Sequence, residues 1–181
     1  TVTDDGRDIR GKGIGYHDHN WLDFPFQSII EYWMWGRVYS QRFTVSFAFI
    51  QCNEKVGGHT VKVLMLAEGR KPILSTGDFD FIKKDFVKAP TDHYSYPKSL
   101  TIDAPGELNV ELVVKKVLES QDMLAGLSAP LRFAAKHLMR LRPWYYRLES
   151  DFVIRAGKKG SLEERGTALH EIVMFHSAEI D

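Results

Sequence analysis

The chain has 181 residues, 44% hydrophobic and 12% aromatic, which suits one domain with a real core and excludes a disordered chain. Lys plus Arg equals Asp plus Glu, 24 against 24, so it lacks the basic excess of a nucleic-acid binder. Cys52 stands alone, which excludes an internal disulfide, and no run approaches the roughly 18 apolar residues of a membrane span.

No signal peptide is visible, and the chain starts at Thr1 without a methionine. A fragment or processed form is therefore expected. Thr1 to Lys12 reads as a polar entry loop. Gly13 to Trp21, GIGYHDHNW, follows. Ser28 to Arg37 alternates, with Glu31, Trp33, Trp35 and Arg37 on one face and Tyr32, Met34 and Val38 on the other. Arg42 to Gln51 is an aromatic and β-branched strand with Phe43, Val45, Phe47 and Phe49 on one side. Gly57-Gly58 breaks it. Strands are predicted over His59 to Glu68, Ile73 to Thr76 and Gly77 to Lys83, an irregular stretch over Asp85 to Pro97, a short strand over Leu100 to Ile102, and a longer one over Glu107 to Glu119.

The period then changes. Ser128 is placed to cap a helix with Pro130 in its first turn. Leu131, Ala134, Ala135, Leu138 and Leu141 keep helical spacing, and Pro143 stops it. Trp144 to Arg155 and Thr167 to Phe175 are the last strands, around a turn at Gly157 to Gly160. Eight to ten strands joined by short turns, with one late helix, predict an antiparallel sheet closed into a barrel or sandwich.

In GIGYHDHNW, His17 and His19 point the same way on an extended segment. They could ligate a metal, deliver a proton, or hold a strand through hydrogen bonds. Gly11, five residues and then His17-x-His19 match the opening of a cupin signature, with Asp23 where that family has Glu. The second cupin motif is not visible.

Gly15-Tyr16-His17-Asp18-His19-Asn20-Trp21, followed by Trp33-Met34-Trp35-Gly36-Arg37, resembles the carotenoid 1,2-hydratase (hydroxyneurosporene synthase) family and its AttH-like relatives. The resemblance is specific over about Gly13 to Val38. It implies an all-β, lipocalin-like antiparallel barrel over residues 1–181, the C-terminal of two such domains, with an N-terminal partner domain absent here or encoded separately. It also implies an elongated apolar ligand, isoprenoid or another lipid, and a cofactor-free hydration or cyclisation. Protonating an alkene requires a donor in an apolar site, and indole faces stabilise the cation by about 0.5–2 kcal/mol each. His19 and Asp18 are the catalytic candidates. Trp21, Tyr16, Trp33, Trp35 and Phe47 are the ligand-lining candidates. The chain departs from the family where Leu22 replaces a glycine, and where Ser46 and Ala48 stand in place of a tyrosine and an acid.

Glu171, on an otherwise apolar strand face, is expected to pair with an arginine, Arg37 being one candidate, in preference to being a site acid. Arg132, Lys136 and Arg140 form a basic stripe on the helix, and Trp144 to Tyr146 follow. A peripheral membrane contact through residues 130–146 is one reading of this; a solvated face of a helix packed on the barrel is the other. The sequence thus suggests a soluble protein, cytoplasmic or at a membrane surface, that either turns over its apolar ligand or only binds it. A metal-dependent cupin-like enzyme using His17 and His19 is the third reading.

Overall fold

The computed structural model describes residues 10, 17, 19, 21, 23, 25–88, 94–157 and 160–176, and the backbone of 2–4 and 7–9. The expected entry loop contains two short strands, β1 (Val2–Asp4) and β2 (Arg7–Ile9), paired as an antiparallel hairpin. Nine strands form the main sheet: β3 (Ile30–Tyr39), β4 (Phe43–Cys52), β5 (Thr60–Glu68), β6 (Lys71–Thr76), β7 (Asp80–Lys88), β8 (Ser95–Ala104), β9 (Leu108–Asp122), β10 (Trp144–Ala156) and β11 (Leu162–Met174). Helix α1 (Ala129–His137) lies between β9 and β10.

Their spatial order is β6-β5-β4-β3-β11-β10-β9-β8-β7, antiparallel throughout. This is the expected all-β, lipocalin-like architecture with one late helix. The two edge strands are not hydrogen-bonded to each other, so the sheet curls into a half-barrel.

Alternation decides which side chains fill it. On β3 the even residues Tyr32, Met34 and Val38 are buried, and on β4 the odd residues Phe43, Val45, Phe47 and Phe49. They join Leu64, Phe79, Ile102, Val110, Leu112, Tyr146, Leu148, Phe152, Ile154 and Ile172 in one core on the inner face. Gly36 belongs to this face. A Cβ there would lie 2.5 Å from Cζ of Phe47 and 2.8 Å from Cβ of His170, so the glycine of the Trp-Met-Trp-Gly-Arg run lets the Phe47 ring lie against the backbone of β3.

The seam between the edges is bridged by side chains. Phe81 of β7 stacks on Phe49 of β4 at 4.7 Å. Lys83 donates to the Tyr32 hydroxyl at 2.8 Å and lies 5.2 Å from the Tyr32 and Phe49 ring centroids. Lys62 donates to the Phe79 carbonyl.

Two elements differ from the sequence reading. The stretch read as irregular, Asp85 to Pro97, contains the end of β7 and the start of β8, with Phe86 paired to Pro97. Asp85 has a positive φ of 57°. Pro97 needs no ladder donor toward β9, because β8 meets β9 only from Ser99 onward. Helix α1 ends at His137, before the expected Leu141; Arg140, at φ 53°, turns the chain left-handed before Pro143 is reached. Ser128 makes no side-chain cap bond.

Candidate ligand cavity on the outer face of the sheet

The same alternation that fills the inner face gives the outer face an unusual composition. The register sets Glu171, Trp35, Ala48 and Val63 side by side across β11, β3, β4 and β5. One row away, Val173, Trp33, Ile50 and Val61 are aligned; on the other side, Leu169, Arg37, Ser46 and Met65. With strands about 4.8 Å apart, each row spans roughly 14 Å of mostly apolar surface. Val61, Val63, Met65 and Leu169 are exposed, which a sheet face does not normally allow without something to cover it.

The segment leading into β3 approaches this surface. His17, His19, Trp21, Phe26 and Ile29 line, together with Trp33, Trp35, Arg37, Ala48, Ile50, Val61 and Val63, a cavity of about 1220 Å³. The His19 ring stacks on Trp21, 4.2 Å between centroids and 17° between planes. Phe26 meets Trp33 edge-on at 5.6 Å, and Trp33 meets Phe175 at 5.3 Å. Trp21 remains 80% exposed, so its indole has contact area left for a ligand.

The polar end of the cavity is built by β10 and β11. Glu171 Oε1 accepts from the Tyr145 hydroxyl at 2.7 Å and from Arg147 at 3.3 Å; Arg147 also reaches Glu119 at 3.7 Å. Burial first, then the bond to Glu171, pushes the Tyr145 phenol well above its ordinary value. Glu171 and Arg147 line the cavity. One row thus runs from ion pair to apolar floor: Glu119, Arg147, Glu171, Trp35, Ala48, Val63.

The sequence-predicted residues divide as follows. His19, Trp21, Trp33 and Trp35 come together at the cavity, with His17. Phe47 does not: it sits on the opposite face, buried in the inner core, because its parity on β4 is that of Val45 and Phe49. Asp18 and Tyr16 lie outside the described residues, as do the flanking Asn20 and Leu22. Among the described residues, no three or more of His, Cys, Asp and Glu gather that could hold a metal ion, so the cupin-like reading has no ligand set there. Ser46 and Ala48 have the parity of the cavity face, and Ala48 lines it.

Glu171 is paired with an arginine, as expected, and the arginine is Arg147. Tyr145 and Arg147 escaped the sequence reading as site residues. The signal was present: a hairpin turning between Gly157 and Gly160 sets residue 147 against 171 and 145 against 173.

No protein-family model matches the chain. It is 27% identical over 114 residues to "hydroxyneurosporene dehydrogenase" of Chlorobaculum tepidum, a match covering 62% of the chain and 29% of that protein. Among solved structures, kievitone hydratase from Nectria haematococca superposes with a TM-score of 0.57 at 14% identity, over 82% of this chain and 40% of that one. CghA, solved with Sch210972, superposes with a TM-score of 0.54 at 7% identity, over 85% of this chain and 43% of that one. The chain thus spans less than half the length of each of these proteins, and what it shares with the two structures is the lipocalin-like antiparallel fold.

Proposed function

We propose that this chain is a barrel domain of the carotenoid 1,2-hydratase kind that binds an elongated apolar molecule, isoprenoid or another lipid, across the outer face of β11-β3-β4-β5. The observation that carries this is the cavity lined by Trp33 and Trp35 of β3 together with the stacked His19–Trp21 pair. His17, His19 and Trp21 of the first motif and Trp33, Trp35 and Arg37 of the second line that one space. A partner domain preceding this one completes the wall over the exposed Val61, Val63 and Met65; the partial coverage of the longer relatives supports it.

The chemistry follows from the groups present. His19, as imidazolium, gives its proton to one carbon of a trisubstituted alkene. The tertiary cation on the other carbon rests against the indole faces of Trp21, Trp33 and Trp35. Water adds to it, and the Glu171 carboxylate, held in place by Tyr145 and Arg147, takes the proton that water loses. The net change is addition of H and OH across the double bond; if an internal alkene attacks the cation instead of water, the new ring cation loses a neighbouring proton to Glu171 and the outcome is a cyclised alkene.

A second reading is favoured by a specific observation. Ala48 lines the cavity at the position where the resembled family carries an acid, which favours a non-catalytic lipid-binding domain. Native mass spectrometry of the purified protein, followed by a hydration assay on an acyclic isoprenoid with a terminal trisubstituted alkene, separates the two. The catalytic reading expects a co-purified or added isoprenoid to bind, and His19→Ala and Glu171→Gln each to lower turnover by about 10²-fold or more with binding retained. Binding without turnover in the unaltered protein leaves the lipid-binding reading; absence of binding by any such molecule removes both.

A further inference from the structure

Helix α1 is inside out. Its two cationic side chains inside the helix turn toward the protein: Lys136 pairs with Asp122 at 3.0 Å, and Arg132 donates to the carbonyls of Leu124 and Ala125. Burial would raise the Asp122 carboxyl, but the Leu124 backbone N–H and Lys136 hold it below its ordinary value. On a helical wheel Arg132 and Lys136 lie about 40° apart, and the opposite arc carries Leu131, Phe133, His137 and Leu138. These face outward: Leu138 is 78% exposed, Phe133 62% and Leu131 59%, and Met139 just beyond is 59% exposed. Only Ala135 of the helix is buried. A surface helix ordinarily does the reverse, burying its large apolar residues and solvating its charges.

The surroundings show what such a face fits. From Met123 to Pro143 the sequence has four Lys or Arg and no Asp or Glu, within a chain whose total charge is zero. Two of the four are used inward. The other two, Arg140 and Arg142, are exposed at the base of the apolar crest. Trp144, half-buried with its indole N–H bonded to Ser120, and Tyr145 follow at the start of β10. An apolar crest with cations at its base, in a segment whose one neighbouring acid, Asp122, is already paired with Lys136, complements an anionic bilayer: the crest enters the acyl boundary and the arginines meet the headgroup phosphates. The segment is anchored by the Tyr94 hydroxyl donating to the Arg142 carbonyl and by the Arg142 N–H donating to the Phe175 carbonyl at 3.0 Å. These hold it at the end of the sheet where β3 begins and β11 ends.

We infer that the β9–β10 excursion, residues 123–143, docks this protein on an anionic lipid surface through Leu131, Phe133, Leu138 and Met139, with Arg140 and Arg142 as the electrostatic contacts. This is a binding surface separate from the ligand cavity, and it does not depend on the function proposed for that cavity.

The test is flotation of the full 181-residue chain with vesicles of phosphatidylcholine alone or mixed with phosphatidylserine, at low and high salt. We expect the protein to float with the mixed vesicles, far less with phosphatidylcholine alone, and to be partly released by salt. Leu131→Ser/Leu138→Ser abolishes flotation. Arg140→Glu/Arg142→Glu weakens it by roughly tenfold or more. Because the altered side chains are exposed, the circular-dichroism melts of both variants should superimpose on that of the parent. Two results overturn the inference: a parent protein that stays at the bottom of the gradient, or flotation that both variants retain. A third also does so, namely self-association of the parent in the absence of lipid that Leu131→Ser/Leu138→Ser reverses, which assigns the crest to a contact between copies of the chain.

Discussion

Gly36 shows how much one absent side chain decides. With Cζ of Phe47 only 2.5 Å from where its Cβ would be, Gly36→Ala forces the Phe47 ring and His170 apart, at a cost of about 1–3 kcal/mol read by chemical denaturation. His170 itself is fully buried, its Nδ1 3.3 Å from Ser150 Oγ, and burial holds its pKa down to about 4. The unfolded chain takes up a proton near pH 6.5, but the folded chain does not until about pH 4. Stability is therefore full above pH 6.5 and falls as the pH drops from 6.5 to 4, by on the order of 3 kcal/mol from this group alone. Urea melts across that range should show a slope that His170→Leu removes. The Trp-Met-Trp-Gly-Arg run was legible as an alternating strand, and its tryptophans do share a face. Which face lines the cavity was not legible. Phe47 and Trp35 are both strand aromatics, and only the curl of the sheet makes one a core residue and the other a cavity floor.

The edges of the half-barrel show what a strand needs when no neighbour pairs with it. β6 is short and carries Pro72 and Lys71, features that discourage a further strand from pairing. β7 has nine residues, and Ile82, Phe86 and Val87 are exposed. It is held to the far wall by Phe81, stacked on Phe49, and by the Lys83 ammonium, set against the Tyr32 hydroxyl and the Tyr32 and Phe49 rings. Lys83→Ala should cost about 1–2 kcal/mol, and hydrogen exchange should speed up in β7 before β8 or β9. If β7 exchanges with the global transition in both proteins, the lysine is not the tie described. Neither the cross-barrel tie nor the edge status of β7 could be read from the sequence, because both depend on strands 80 and 30 residues into the chain facing each other. The Asp85 to Pro97 region misled for a local reason: a positive φ and a proline look like a loop, yet both are tolerated beside an unpaired stretch of strand.

At the scale of the molecule, the order of strands in space matches their order in the chain at every pairing except β3 with β11. The fold was legible to that extent: turn after turn between neighbouring strands announces a meander. The cavity was not, because it straddles that one exceptional pairing, with Glu171 on one side and Trp35 on the other. The pairing also brings the two ends of the sheet together, and His176 Nε2 lies 3.1 Å from the Gln27 carbonyl oxygen. Meanwhile β6 and β7, adjacent in sequence, share no ladder and are connected only by residues 77–79. A circular permutant of residues 25–176 opened between Gly77 and Asp78, with a short linker joining His176 to Pro25, would turn the most distant pairing into a near-neighbour one and make the nine-stranded sheet one unbroken meander. Such a chain should fold faster than the parent at similar stability, since the loop that must close before β3 meets β11 has been removed.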